Sequence, residues 1–329
     1  MRGEESRVSY RRGGAPGGVR DLDWSPSTWL LLITVCGALF LDGLDTSMMG
    51  VALPSIGQSL HLPAGSLQWL VGANVLVFGG FLLLGGRTSD LISRRTVFLV
   101  AVTVYGVASV ISAGLSNDLA IIALRFVKGM AAGFTVPAGL SVLTTTFTEG
   151  LARDRALGIY TLCVASGYSL GLVIGGLLTE ISWRLTLLLP GPVALVFVAF
   201  GWRVIPRSRT ARTGLGHFDL GGAFTVTASL LLFVYVVVEA PTRGWASTPT
   251  IALLVSSAVP MGAFIAIEMR HAHPLVRLGI LRNARLVHAN LSGFALFGGF
   301  GTFQFIATLY TQDALGWSPP AMAVAFLPA

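Results

Sequence analysis

Four ionisable side chains stand where the surrounding sequence is apolar. They are Asp42 and Asp45 in FLDGLDTSMMGVALPSI (40–56), and Arg125 and Lys128 in IIALRFVKGMAAGF (121–134). Each pair is spaced by three, so on a helix its two members share a face. Lys128 is the sole lysine of the chain. Two acids and two bases sum to zero charge, which makes them tolerable away from water. Such a set can also hold and release a proton, because ionisable groups inside a membrane tend to mark a pathway. The other readings are a purely structural ion network, or an Arg125 that snorkels outward by itself. No His/Glu pair at metal spacing, serine elbow or Gly/Lys phosphate loop is present in the sequence. Neither a metal nor a cofactor is therefore expected, and enzyme chemistry has nothing in its favour.

The elements that must position these groups are membrane helices. Hydrophobic residues make up 53% of the chain and charged ones 11%, too few for the surface of a soluble domain of 329 residues. Stretches long enough to span, on the order of 20 residues, fall at 28–53, 66–86, 96–115, 119–147, 155–180, 183–204, 218–240, 249–269 and 287–312. The expected fold is all-α, a polytopic bundle with nine complete spans and the start of a tenth. The arginines alternate between loops. Arg2, Arg7, Arg11, Arg12 and Arg20 precede the first span, Arg87, Arg94 and Arg95 follow the second, Arg153 and Arg155 the fourth. Arg203, Arg207, Arg209 and Arg212 follow the sixth, and Arg270, Arg277, Arg282 and Arg285 the eighth, whereas the intervening loops hold only Arg184 and Arg243. This alternation places the N-terminus in the cytoplasm, accounts for the net charge of +7 as topology and leaves no need for a nucleic-acid partner. No cleavable leader is expected before the first span, and Cys36 and Cys163 fall inside spans and are expected to be packing residues.

Depth predicts the partners. If the first helix leaves the bilayer at Pro54, Asp45 and Asp42 lie ~13 and ~18 Å from its end; if the fourth enters near Asp118, Arg125 and Lys128 lie ~10 and ~15 Å deep. The expected pairs are Asp45 with Arg125 and Asp42 with Lys128.

Several stretches resemble one family. LDTSMMGVALP (44–54) is similar to the first-helix motif L-D-x-T-I-V-N-V-A-L-P of the fourteen-helix drug:proton antiporter branch of the major facilitator superfamily. Asp45, Ala52, Leu53 and Pro54 match, while Ser47 and Gly50 replace Thr and Asn. GRTSDLISRRTVF (86–98) resembles the loop signature G-x-L-a-D-R-x-G-R-R through Gly86, Asp90, Arg94 and Arg95, with Thr88, Leu91 and Ser93 departing from it. RFVKG (125–129) resembles R-x-x-Q-G, with Lys128 in place of Gln. GYSLGLVIGG (167–176) resembles the antiporter motif G-x-x-x-G-P-x-x-G-G through Gly167, Gly171, Gly175 and Gly176, with Leu172 replacing Pro; close helix packing is its other reading.

The resemblance implies proton-coupled efflux of small amphipathic or drug-like molecules through a midplane cavity, by rocking of two halves in the cell membrane. It implies that Asp45 binds the proton with Arg125 tuning it, and that Asp90, Arg94 and Arg95 form a gating loop. Partners would be substrate, protons and the lipid bilayer. A receptor or scaffold on the same fold is the alternative. The implied domains are a tail (1–27), a six-helix half (28–205), a linker (206–217), two additional helices (218–270), an interfacial helix (271–286) and the start of a second half (287–329). About five further spans would complete that half, so residues 1–329 alone are expected to insert without transporting.

Overall fold

The computed structural model describes residues 24–207, 220–270 and 278–326, and these are helical throughout with no strand among them. Eleven α-helices follow in order: α1 (Pro26–Leu60), α2 (Ala64–Leu91), α3 (Arg94–Ala113), α4 (Asp118–Thr146), α5 (Leu151–Ile181), α6 (Trp183–Leu188), α7 (Pro190–Val204), α8 (Leu220–Arg243), α9 (Thr248–Arg270), α10 (Ala284–Leu309) and α11 (Pro319–Phe326). Nine segments of the described residues are long and apolar enough to cross a membrane, α6 and α7 counting as one.

Local chemistry sets the helix ends. Ser25 caps α1 by accepting from the Thr28 N–H, and Pro26 occupies the first position, where no N–H is needed. Asn117 caps α4 by accepting from the Ala120 N–H at 2.9 Å, and Asp118 adds an acid to the first turn. Two boundaries differ from the expectation. Helix α1 does not end at Pro54 but runs through it to Leu60, where His61 turns left-handed and closes the helix. One missing backbone donor is tolerated inside a membrane helix whose neighbours enclose it. The sixth span is interrupted at Leu189 only in its hydrogen bonding, because Pro190 offers no N–H; Leu189 itself keeps helical dihedrals (φ −51°, ψ −45°). Of the expected interfacial helix, residues 271–277 lie outside the described residues, and the rest is a 3-10 turn at Leu278–Arg282 leading directly into α10.

Helix α1 is central. It contributes Leu32 and Leu39 to a core shared with Phe98 of α3, Leu143 of α4, Tyr160 of α5 and Ala194 of α7. It contributes Met49 and Leu53 to a second core with Leu70 of α2 and Leu187 of α6, and Val51 to a third with Leu172 of α5 and Met322 of α11. Helices α8 and α9 pack on one another through the Ser229 hydroxyl, which donates to the Ser257 carbonyl at 2.8 Å. They dock on α2 through the Thr227 hydroxyl, which donates to the Gly80 carbonyl at 2.8 Å.

Glycines set how closely the central helices approach. On α5, Gly167, Gly171 and Gly175 recur every four residues and face α1. A Cβ at Gly167 would meet the Phe40 carbonyl, one at Gly171 would lie 2.6 Å from the Leu44 oxygen, and one at Gly175 2.8 Å from the Met48 Cα. Gly176 instead faces α11, where a Cβ would lie 2.9 Å from the Pro320 Cα. Helices α2 and α4 meet likewise at Gly129, opposite the Asn74 backbone, and at Gly133, opposite Phe78 and Phe81. Both sets bring backbones together as small-residue faces do in membranes. They fix α1, α2, α4 and α5 around the ionisable residues.

Candidate functional site

Asp45 receives both bases. Arg125 Nη1 donates to Asp45 Oδ2 at 2.6 Å and Lys128 Nζ donates to Asp45 Oδ1 at 2.6 Å. All three side chains are buried, with exposures of 2%, 1% and 0% for Asp45, Arg125 and Lys128. The depth-based pairing of Asp42 with Lys128 is therefore not made. Asp42 sits three residues earlier on α1, and the long Lys128 stem carries its ammonium to Asp45 instead. One Asp42 oxygen, Oδ1, is buried without a hydrogen-bond partner. It borders a small cavity of about 10 Å³ between α1, α3, α4 and α7, lined also by Tyr105 and Thr135, which is about the room one water centre needs.

Neighbours that the sequence reading did not single out complete the cluster. Lys128 Nζ also donates to Ser109 Oγ at 3.3 Å and stands 4.8 Å from the centroid of the Tyr105 ring. Arg125 Nε donates to the Leu70 carbonyl at 2.9 Å, which ties the guanidinium to α2. Arg125 Nη2 and Asn74 Nδ2 are buried donors without partners. The clue to Tyr105, Ser109 and Asn74 would have been polar residues in the two spans flanking the charged ones, but polar residues are common enough there to carry little signal. Because Asp42 forms no ion pair, Asp42→Asn is expected to change stability by about 1 kcal/mol or less. Thermal unfolding of the purified variant beside an Asp45 variant checks this, and equal losses in the two would contradict the assignment of both bases to Asp45.

A second feature lies beside the cluster. A cavity of about 280 Å³ opens between α1, α2, α5 and α10, with Thr46 next to Asp45 on its wall and Tyr168, Gln304 and Thr308 opposite. Tyr168 lies between Gly167 and Gly171 on α5, and a π-turn at Tyr310–Ala314 ends α10, where the Gln312 amide donates to the Val51 carbonyl of α1 at 3.2 Å.

The loop residues are brought together elsewhere. Arg95 Nη2 donates to the Trp202 carbonyl, and its guanidinium stands 5.2 Å from the Trp202 ring centroid, joining the start of α3 to the end of α7. Arg94 and Arg95 line a cavity of about 260 Å³ with Thr145, Thr146 and Pro206. Gly86 lies on α2, with Pro137 Cβ 3.7 Å from where its own Cβ would be. The Asp90 side chain lies outside the described residues.

This architecture matches known proteins. The family model described as Major Facilitator Superfamily matches residues 35–329. The chain belongs to the Major Facilitator Superfamily. This superfamily member is similar to the puromycin resistance protein pur8 of Streptomyces alboniger, 36% identical over 306 residues, which are 92% of this chain and 60% of that one. It is similar also to the cephamycin export protein CmcT of Amycolatopsis lactamdurans, 33% identical over 299 residues, 90% of this chain and 62% of that one. The chain thus spans about 60% of the length of these curated relatives. The crystal structure of the nucleoside transporter NupG covers 92% of this chain and 96% of its own, with a TM-score of 0.51 at 12% identity. That likeness concerns the fold alone. As a Major Facilitator Superfamily member, the protein is an integral membrane protein of a transporter family and not an enzyme.

Proposed function

We propose that the protein exports small amphipathic, drug-like molecules across the cell membrane in exchange for protons, with its N-terminus in the cytoplasm. The observation that carries this reading is the buried Asp45–Arg125–Lys128 cluster beside a cavity lined from both α1 and α10. Two relatives named for drug resistance and export agree with the direction of transport.

In this reading Asp45 is the proton acceptor, and Arg125 and Lys128 compensate its charge while it is empty. A proton on the carboxyl removes the charge that holds both bases, so the tie between α1 and α4 loosens and leaves α1 free to move against α10. Asp42 lies on the same helix with an oxygen unpartnered and a water-sized space beside it, and it relays the proton to or from Asp45. Substrate couples to this change only by binding one access state better than the other. Gly167, Gly171 and Gly175 keep α5 fixed to α1 so that the two helices move as one body. Arg95, tied to Trp202, and Arg94 beside it work with Asp90 as the gating loop.

Everted membrane vesicles carrying the full-length protein test this reading. An inward-acid gradient is expected to drive accumulation of an exported compound, and a protonophore is expected to release it. Accumulation indifferent to the gradient would overturn proton coupling, and no gradient-driven movement of any compound tried would favour a non-transporting role.

A further inference from the structure

Among the described residues no charged side chain lines the cavity between α1, α2, α5 and α10, although Asp45, buried with its two bases, neighbours Thr46 on its wall. From this contrast we infer that it selects uncharged, flat aromatic ligands bearing an amide or carbonyl group. The inference rests on the export reading and deepens it by naming the substrate class.

The wall is built for rings. Tyr168, Phe297, Phe300 and Phe305 supply aromatic faces and edges, and Tyr168 and Phe300 stand 5.8 Å apart between centroids at 59°. Such tilted arrangements accept a further ring edge-to-face or offset-stacked. The volume of about 280 Å³ lies near the lower end of ligand pockets, which begin at roughly 300 Å³.

Its polar groups are few and point to a neutral partner. Gln304 and Thr308 are one helical turn apart on α10 and therefore share a face. Their exposures are 6% and 1%. Thr308 Oγ1 is buried without a hydrogen-bond partner; the Gln304 amide makes no hydrogen bond among the described residues and lines the cavity. A buried hydroxyl left in this state costs stability unless a ligand or water satisfies it. Gln304 Nε2 lies 3.4 Å from where a Gly50 Cβ would stand, which places the amide against α1 at that position. Together the pair offers donors to a carbonyl oxygen and, at Gln304 Oε1 and Thr308 Oγ1, acceptors to an amide N–H.

Charge argues in the same direction. Asp45 is committed to Arg125 and Lys128 and does not line the cavity, so a cation meets no acid among the described lining residues. Attraction of a cation to the phenyl faces is smaller than the cost of an unpaired charge at membrane depth. An anion meets no base in the lining and pays the same desolvation.

The experiment uses three probes that share one ring system: 1-naphthylacetamide, 1-naphthylacetate and (1-naphthylmethyl)trimethylammonium. Equilibrium binding to the purified full-length protein is measured for the wild type, Gln304→Leu and Thr308→Val. The amide is expected to bind on the order of tenfold more tightly than either ion. Each substitution is expected to weaken the amide several-fold and leave the ions unchanged. Either ion binding as tightly as the amide would overturn the inference, as would no probe binding, or amide affinity indifferent to both substitutions. Should a variant fail to fold, the ranking of the three probes on the wild type decides. Transport coupled to protons with the ranking reversed would sink the substrate class alone, whereas the expected ranking without any proton-driven transport would sink the export reading alone.

Discussion

Asp45→Ala is expected to destabilise the protein by roughly 3–5 kcal/mol, because it leaves two buried cations without their acid. Arg125 and Lys128 are both almost fully buried, and each makes its one ion pair to Asp45. The neighbouring Asp42 does not offset the loss, since it pairs with neither base in the present packing. The loss is conditional on those bases. Replacing all three residues together, Asp45→Leu with Arg125→Met and Lys128→Met, exchanges the ions for apolar groups of similar bulk and is expected to recover most of the stability. That triple variant separates structure from transport: it is expected to unfold near the wild-type temperature while moving no protons. Thermal unfolding in detergent beside a transport assay provides both readings. A single Asp45→Ala variant as stable as wild type would show that the cluster is not held as described.

The second large effect is steric. Gly171→Val is expected to cost at least about 1–3 kcal/mol, the usual range for overpacking, because its Cβ would stand 2.6 Å from the Leu44 oxygen and 2.8 Å from the Leu44 Cα. Backbone cannot yield as a side-chain tip does, so α5 must move away from α1 one residue from Asp45. The same substitution thus shifts the cluster, and transport is expected to fall further than stability alone accounts for. Gly158→Ala on the same helix is the control. Nothing lies within 4 Å of its Cβ position, so stability is expected to stay constant or rise slightly through helix propensity. If both glycine variants unfold at the wild-type temperature, the α1–α5 contact is not the tight one described.

The spans and the charged residues were legible in the sequence because hydrocarbon imposes a length and penalises charge, and both leave marks in composition. Asp45 with Arg125 was legible for the same reason, since depth along a helix follows from counting residues. Lys128 was assigned to the wrong acid because depth fixes the level of a backbone, whereas a lysine stem reaches over more than one turn. The end of α1 was misread at Pro54, where proline marks a break in water but not in an enclosed membrane helix. The glycines of α5 were visible as a motif, but only the packing shows that three face α1 and that Gly176 faces α11. The cavity was not legible. Gln304 and Thr308 lie more than 250 residues from Thr46 in the chain, and nothing in local sequence says that α10 comes to rest beside α1.

Proton movement in liposomes tests the central proposal most directly. The full-length protein is reconstituted with a pH-sensitive dye inside, and a transported compound is added outside with no proton gradient imposed. Exchange predicts that the interior turns alkaline as the compound enters, and that Asp45→Asn abolishes the change. Entry of the compound with no change in interior pH, acidification in its place, or an undiminished signal from Asp45→Asn would contradict the account.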